Sequence, residues 1–112
     1  MASNSTSDTN VTWFIYRGPD GEAVPRDVTH LRVHPSVTVI PAAAFHGRVK
    51  LQQVELPDGL RNIGEGAFYE CHTLRNVKLP EGLQEIGEWA FGYCHKLSRM
   101  KIPSAVVVIF RS

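Results

Sequence analysis

From Val28 onward, apolar residues return at a fixed step. Ile40, Ile63, Ile86 and Ile109 are 23 residues apart, and so are Phe45, Phe68 and Phe91, each preceded by Ala44, Ala67 or Ala90. Leu51, Leu74 and Leu97 keep the same step, as do Cys71 and Cys94, and Pro57, Pro80 and Pro103. Reading backwards, Val28 takes the slot of Leu51, Leu31 that of Val54, and Val33 that of Leu56. The register does not slip anywhere in the sequence. A short fixed period with apolar residues at fixed offsets predicts a solenoid of stacked coils.

Each coil has a physical reading. LQQVEL, LRNVKL and LSRMKI are apolar at the first, fourth and sixth places. The last two alternate about one polar residue, as a half-buried strand does. Pro-Asp-Gly and Pro-Glu-Gly then suit a type I turn with proline second and glycine fourth. GLRNIG and GLQEIG read as a second short extended segment. EGAFYEC and EWAFGYC read as one helical turn with alanine and phenylalanine facing inward. Equivalent positions on stacked coils should lie about 4.8 Å apart, so every apolar slot becomes a column.

These residues resemble the BspA-type leucine-rich repeats, whose coils follow Pro-x-x-Leu-x-x-Ile-Gly-x-x-Ala-Phe-x-x-Cys-x-x-Leu-x-x-Val-x-Leu. The resemblance runs from about Val28 to Ile109. It departs in the first coil, where Pro41 replaces the glycine after Ile40 and Arg48 stands in the cysteine slot. It implies a mainly β, right-handed, curved leucine-rich-repeat solenoid with one short helical turn per coil. In other members such arrays act in adhesion, host contact or protein–protein recognition. The resemblance carries no catalytic residue.

The flanks divide the chain. Residues 1–10, MASNSTSDTN, are small and polar and read as a disordered tail. The two Asn-x-Ser/Thr matches at Asn4 and Asn10 are expected to be chance. Val11–Tyr16, VTWFIY, reads as a strand, and RGPDGEAVP as a turn, so residues 11–27 form a strand or hairpin cap with Trp13 in it. Residues 28–112 are the solenoid: three coils and the start of a fourth. Val106, Val107, Val108 and Phe110 make an apolar run at its open end. Phe110 folds over as a cap, or the chain is a piece of a longer array, or this edge pairs with another subunit.

Composition adds exclusions. The 112 residues carry a net charge of +1, with 43% hydrophobic and 21% charged residues. No apolar run approaches a membrane span, and no basic segment followed by an apolar core opens the chain. The default expectation is therefore an intracellular protein without membrane attachment. Two cysteines do not make a disulfide framework.

Candidate chemistry is sparse. Cys71-His72 and Cys94-His95 lack the short paired-ligand loops of structural zinc sites. The cysteines read as buried small slots and the histidines as surface. A Cys–His nucleophile would need an orienting third group, which nothing supplies. Glu65 and Glu88 share a slot on adjacent coils, as a carboxylate pair would require. That slot faces a turn, so solvated glutamates are expected. No enzyme activity, cofactor or metal is expected.

The outward strand slots are more informative. They form the columns Thr29, Gln52, Arg75, Ser98; His30, Gln53, Asn76, Arg99; and Arg32, Glu55, Lys78, Lys101. Arg32, Arg75, Lys78, Arg99 and Lys101 stand against Glu55 alone. The opposite segments carry Asp58, Glu65, Glu70, Glu81, Glu85 and Glu88 against Arg61. A near-neutral chain is thus expected to be polarised, with a basic concave face that steers an acidic protein partner. Few aromatics lie on that face, so nucleic acid is not expected. The candidate binding residues are His30, Arg32, Gln53, Glu55, Arg75, Lys78, Arg99 and Lys101. The alternative is an assembly unit that associates through Val106, Val107, Val108 and Phe110.

Overall fold

A computed structural model describes residues 11–97, Met100 and the backbone of Val107–Val108. The expected tail at 1–10, and Arg99, Lys101, Val106 and Phe110, lie outside the described residues. Eight short strands are described: β1 (Trp13–Tyr16), β2 (His30–Val33), β3 (Val39–Ile40), β4 (Gln53–Glu55), β5 (Asn62–Ile63), β6 (Asn76–Val77), β7 (Glu85–Ile86) and β8 (Val107–Val108). They form two parallel sheets, ordered β1-β2-β4-β6 and β3-β5-β7-β8. The sequence period is the pairing register: Leu31 pairs with Val54, Val54 with Val77, and Ile40 with Ile63 and Ile63 with Ile86. The chain is a mainly β solenoid.

The core is a set of columns. Phe45, Phe68, Ile40, Ile63, Ile86, Leu51, Leu74, Leu60 and Leu83 are essentially inaccessible, and no polar side chain is buried among the described residues. Phe45, Phe68 and Phe91 have successive ring centroids 5.2 Å apart. Of the strand or hairpin expected at the N-terminal segment, the structure has the strand. It is not a hairpin: β1 runs parallel to β2, with Tyr16 opposite Val33. Tyr16, not Trp13, is the plug. It is 6% exposed, and its ring meets Phe45 edge-on at 4.9 Å. Trp13 stays half-buried on the outer face.

The expected helical turn is not formed. In each described coil a run of turns replaces it, and in the first two coils that run is hydrogen-bonded to the next coil. The amides of Ala43, Phe45 and Gly47 donate to the carbonyls of Glu65, Ala67 and Tyr69; those of Gly66, Phe68 and Glu70 donate to Glu88, Ala90 and Gly92. The intervening amides bond three residues back, as Ala44 does to Pro41. Two slots per coil adopt positive φ, namely Ala43, Gly66 and Trp89, and Gly47, Glu70 and Tyr93. Left-handed residues at this spacing break a helix and turn alternate amides outward to the neighbouring coil.

The turn and the last strand pairing sit one residue away from the expected register. The turn bond runs from the Leu60 amide to the Pro57 carbonyl, so proline holds the first corner and Asp58-Gly59 the middle. At the far end, Ile86 pairs with Val108, a step of 22 rather than 23. Val106 to Ile109 is uniformly apolar, so the pattern does not choose between adjacent registers there.

The Ile-Gly pair of the repeat also gains a cause. A Cβ on Gly64 would lie 2.6 Å from the Ala42 amide nitrogen, and one on Gly87 2.6 Å from that of Glu65. The coils touch backbone to backbone at this slot. Pro41 is tolerated in the first coil because a cavity of about 280 Å³, not another coil, borders it.

Phe68→Ala should lower stability by about 3–5 kcal/mol, most of what a domain of this size has. Chemical denaturation checks this. Gly64→Ala should cost about 3 kcal/mol or more by overpacking against backbone. Gly66 has φ +64°, and a Cβ there would meet only Tyr69 Cβ, at 3.8 Å, so Gly66→Ala should cost only about 1 kcal/mol in the same measurement.

Candidate interaction surfaces

The first sheet positions the outward side chains named from the sequence. Alternation places Leu31 and Val33 inward and His30 and Arg32 outward on β2, and Val54 inward with Gln53 and Glu55 outward on β4. At the N-terminal end, the Trp13 ring meets His30 edge-on at 5.1 Å. The Arg32 guanidinium lies 4.6 Å over the Trp13 ring, and its Nε donates to Glu55 Oε1 at 2.6 Å. Both side chains of this ion pair are nearly half exposed, at 44% and 49%. Such a pair contributes about 0–1 kcal/mol, so it orients Arg32 more than it stabilises the coil.

Gln53, Glu55 and Lys78 come together along a groove of about 520 Å³, with Asp58 and Asn76. Arg75 is exposed on the adjoining column. Arg32 is balanced by Glu55, which leaves Arg75 and Lys78 as the strand-face cations without a salt bridge among the described residues. The groove itself is of mixed sign, because Asp58 and Glu55 line it beside Lys78.

The cysteines are structural. Cys71 Sγ donates to the Phe45 carbonyl at 3.2 Å and Cys94 Sγ to the Phe68 carbonyl at 3.1 Å, each reaching into the preceding coil. Burial pushes Cys71 up to about 12 and Cys94 up to about 11. Thiols with such values stay protonated and are poor nucleophiles and metal ligands. Among the described residues no cluster of three metal-ligating side chains occurs. In the first coil Arg48 does the cysteine's work. It donates to the Val24 carbonyl at 3.3 Å and to that of His46, and so ties the N-terminal segment to the coil.

The turn side carries an aromatic surface that the period obscured. His46 and Tyr69 occupy one slot of successive coils, and Gly92 the third. The rings of His46 and Tyr69 lie 5.4 Å apart, and Trp89 stands at 89° to Tyr69 at 6.0 Å. Tyr93 lies nearly parallel to Trp89 at 6.4 Å. Trp89 and Tyr93 have φ of +64° and +58°, in slots held by Gly66 and Gly47 elsewhere. A non-glycine residue in that conformation costs about 1–2 kcal/mol. The available signal was this substitution of tryptophan and tyrosine into glycine slots. Glu65, expected merely to face a turn, borders this aromatic groove.

Residues 26–112 match the family described as the BspA type leucine-rich repeat region, in six copies. This chain is a BspA-type leucine-rich repeat protein. Solved leucine-rich repeat proteins share its fold. One is from T. pallidum, with a TM-score of 0.72 and 26% identity over 96% of this chain and 50% of that one. Another is from Bacteroides ovatus, with a TM-score of 0.68 and 25% identity over 96% of this chain and 35% of that one. The BspA-type chain thus spans half the length of the first and about a third of the second. No curated protein matches it. None of the described residues forms a helix long and apolar enough to cross a membrane.

The thiols give a test. In the native BspA-type protein neither cysteine should react with iodoacetamide near pH 8, and both should react after unfolding, as counted by mass spectrometry. The unfolded chain ionises its thiols near pH 9, whereas the folded chain does so only near 11 and 12. Stability should therefore be unaffected by the thiols below pH 9 and fall as pH rises from 9 toward 12.

Proposed function

We propose that this protein is a non-catalytic interaction scaffold that binds another protein, one with acidic segments, on the concave strand face of its solenoid. Membership of the leucine-rich repeat family supports the scaffold role. The observation that carries the choice of face is the pair of exposed cations without a salt bridge among the described residues, Arg75 and Lys78, beside a groove of mixed sign that Gln53, Glu55, Asp58 and Asn76 also line. Parallel strands hold these side chains in fixed columns, so little order has to be acquired on binding. His30 and Arg32, packed on Trp13, extend the surface toward the N-terminal end. Arg99 and Lys101 continue the same columns in sequence.

A second reading is assembly through the open edge. β8 is the outermost strand of the second sheet among the described residues, and an outer strand presents unpaired backbone groups. The longer leucine-rich repeat neighbours fit a chain that belongs to a larger array. On this reading Val106, Val107, Val108 and Phe110 meet another coil or another subunit.

The experiment is a titration of the ¹⁵N-labelled protein with a glutamate-rich peptide. Shifts should centre on Gln53, Arg75 and Lys78. Arg75→Glu/Lys78→Glu should weaken binding by about tenfold or more while leaving the melting temperature within about two degrees. Shifts elsewhere, or binding indifferent to the double change, would reject the strand-face reading. Light scattering that shows concentration-dependent oligomers lost on Val107→Lys would favour assembly instead.

A further inference from the structure

The turn-side groove has the build of a cation site, and it does not depend on the strand-face reading. About 350 Å³ of open groove is lined by Ala42, Ala43, His46, Glu65, Gly66, Tyr69 and Trp89. Its walls are rings at steep angles: Tyr69 to Trp89 at 89° and His46 to Tyr69 at 53°. A flat platform of coplanar rings would suit a sugar face. Rings meeting at a corner surround a compact group and offer it more than one π face.

The groove is shaped by the sequence in two places. Gly92 leaves the space that Tyr69 and Trp89 fill: a Cβ there would lie 2.8 Å from Tyr69 Cδ1 and 3.0 Å from Trp89 Cε3. Trp89 itself is held at φ +64°, and the nearly parallel Tyr93 ring braces it. The coil does not need an indole in that slot, since Gly66 and Ala43 fill it in the other coils with the same backbone.

Its charge is one-sided. Glu65 lines the groove, Glu70 adjoins Tyr69 and pairs with His46 at 3.3 Å, and Glu88 precedes Trp89 in the chain. No lysine or arginine lines it. Arg48, the nearby cation, has its terminal nitrogens on the carbonyl oxygens of His46 and Val24. The same chain already seats a guanidinium on an indole with a carboxylate at its edge, in Arg32, Trp13 and Glu55.

We propose that this groove binds an arginine side chain of a partner protein, with the guanidinium against Trp89 and Tyr69 and paired to Glu65. The complementarity is a planar cation against aromatic faces, with an acidic residue on the groove wall to accept its N–H groups. A partner that used both surfaces would present an acidic segment to the strand face and an arginine to the turn face.

The test is an NMR titration of the ¹⁵N-labelled chain with acetyl-Gly-Arg-Gly-Arg-Gly-amide and with the same peptide carrying citrulline, a neutral isostere. The Arg peptide should shift the Trp89 indole and the Tyr69 and Gly66 amides, and the citrulline peptide should bind about tenfold more weakly or worse. Trp89→Gly suits the backbone at that slot and should keep the fold while abolishing the shifts. Glu65→Gln, exposed and remote from the core, should weaken binding several-fold and keeps the question answerable if the glycine variant fails to fold. Equal binding of the two peptides, no shift at these residues up to about 10 mM peptide, or shifts from cellobiose in place of the Arg peptide would overturn the proposal. Arg75→Glu/Lys78→Glu should leave these shifts unchanged, so the two surfaces fail or succeed separately.

Discussion

Contact between consecutive coils, backbone to backbone, is the constraint from which the rest follows. Gly64 shows it most sharply, since even a methyl group there would reach 2.6 Å from the preceding coil. With coils this close, hydrogen bonds form between them along both sheets and along the run of turns. Side chains in equal slots then have no choice but to stack. The phenylalanine column, the aliphatic columns and the cysteines that reach back to the previous coil's carbonyl are consequences of that spacing.

The core was legible because burial and period reinforce one another. Slots read as inward from the 23-residue step, from Leu31 to Ile86, are buried, apart from Ala44 and Leu56, which are partly buried and pack against the core. The turn segment was less legible. EGAFYEC has the apolar spacing of a helical turn, yet Glu70, like Trp89 and Tyr93, adopts the left-handed conformation that sequence preference assigns to glycine. Interactions between coils override local preference at those positions, and no single coil contains that information.

The surfaces show the same division. Outward placement of Arg32, Glu55 and Lys78 followed from alternation, but the seating of Arg32 on Trp13 required parallel pairing of β1, which a hairpin reading did not supply. The aromatic groove was missed because His46, Tyr69, Trp89 and Tyr93 do not fall in one column. They meet across three coils and three slots. Periodicity reveals residues that stack and hides residues that meet diagonally.

The paired left-handed slots have a wider consequence. Their backbone geometry is imposed from outside by the neighbouring coils, and their side chains lie outside the hydrophobic columns. Identity there is thus limited by the cost of the left-handed conformation and not by core packing: alanine, glycine and tryptophan serve in one slot, and glycine, glutamate and tyrosine in the other. Along a longer array these slots would act as an address line, written coil by coil, with each letter able to change while the interior beneath it stays the same.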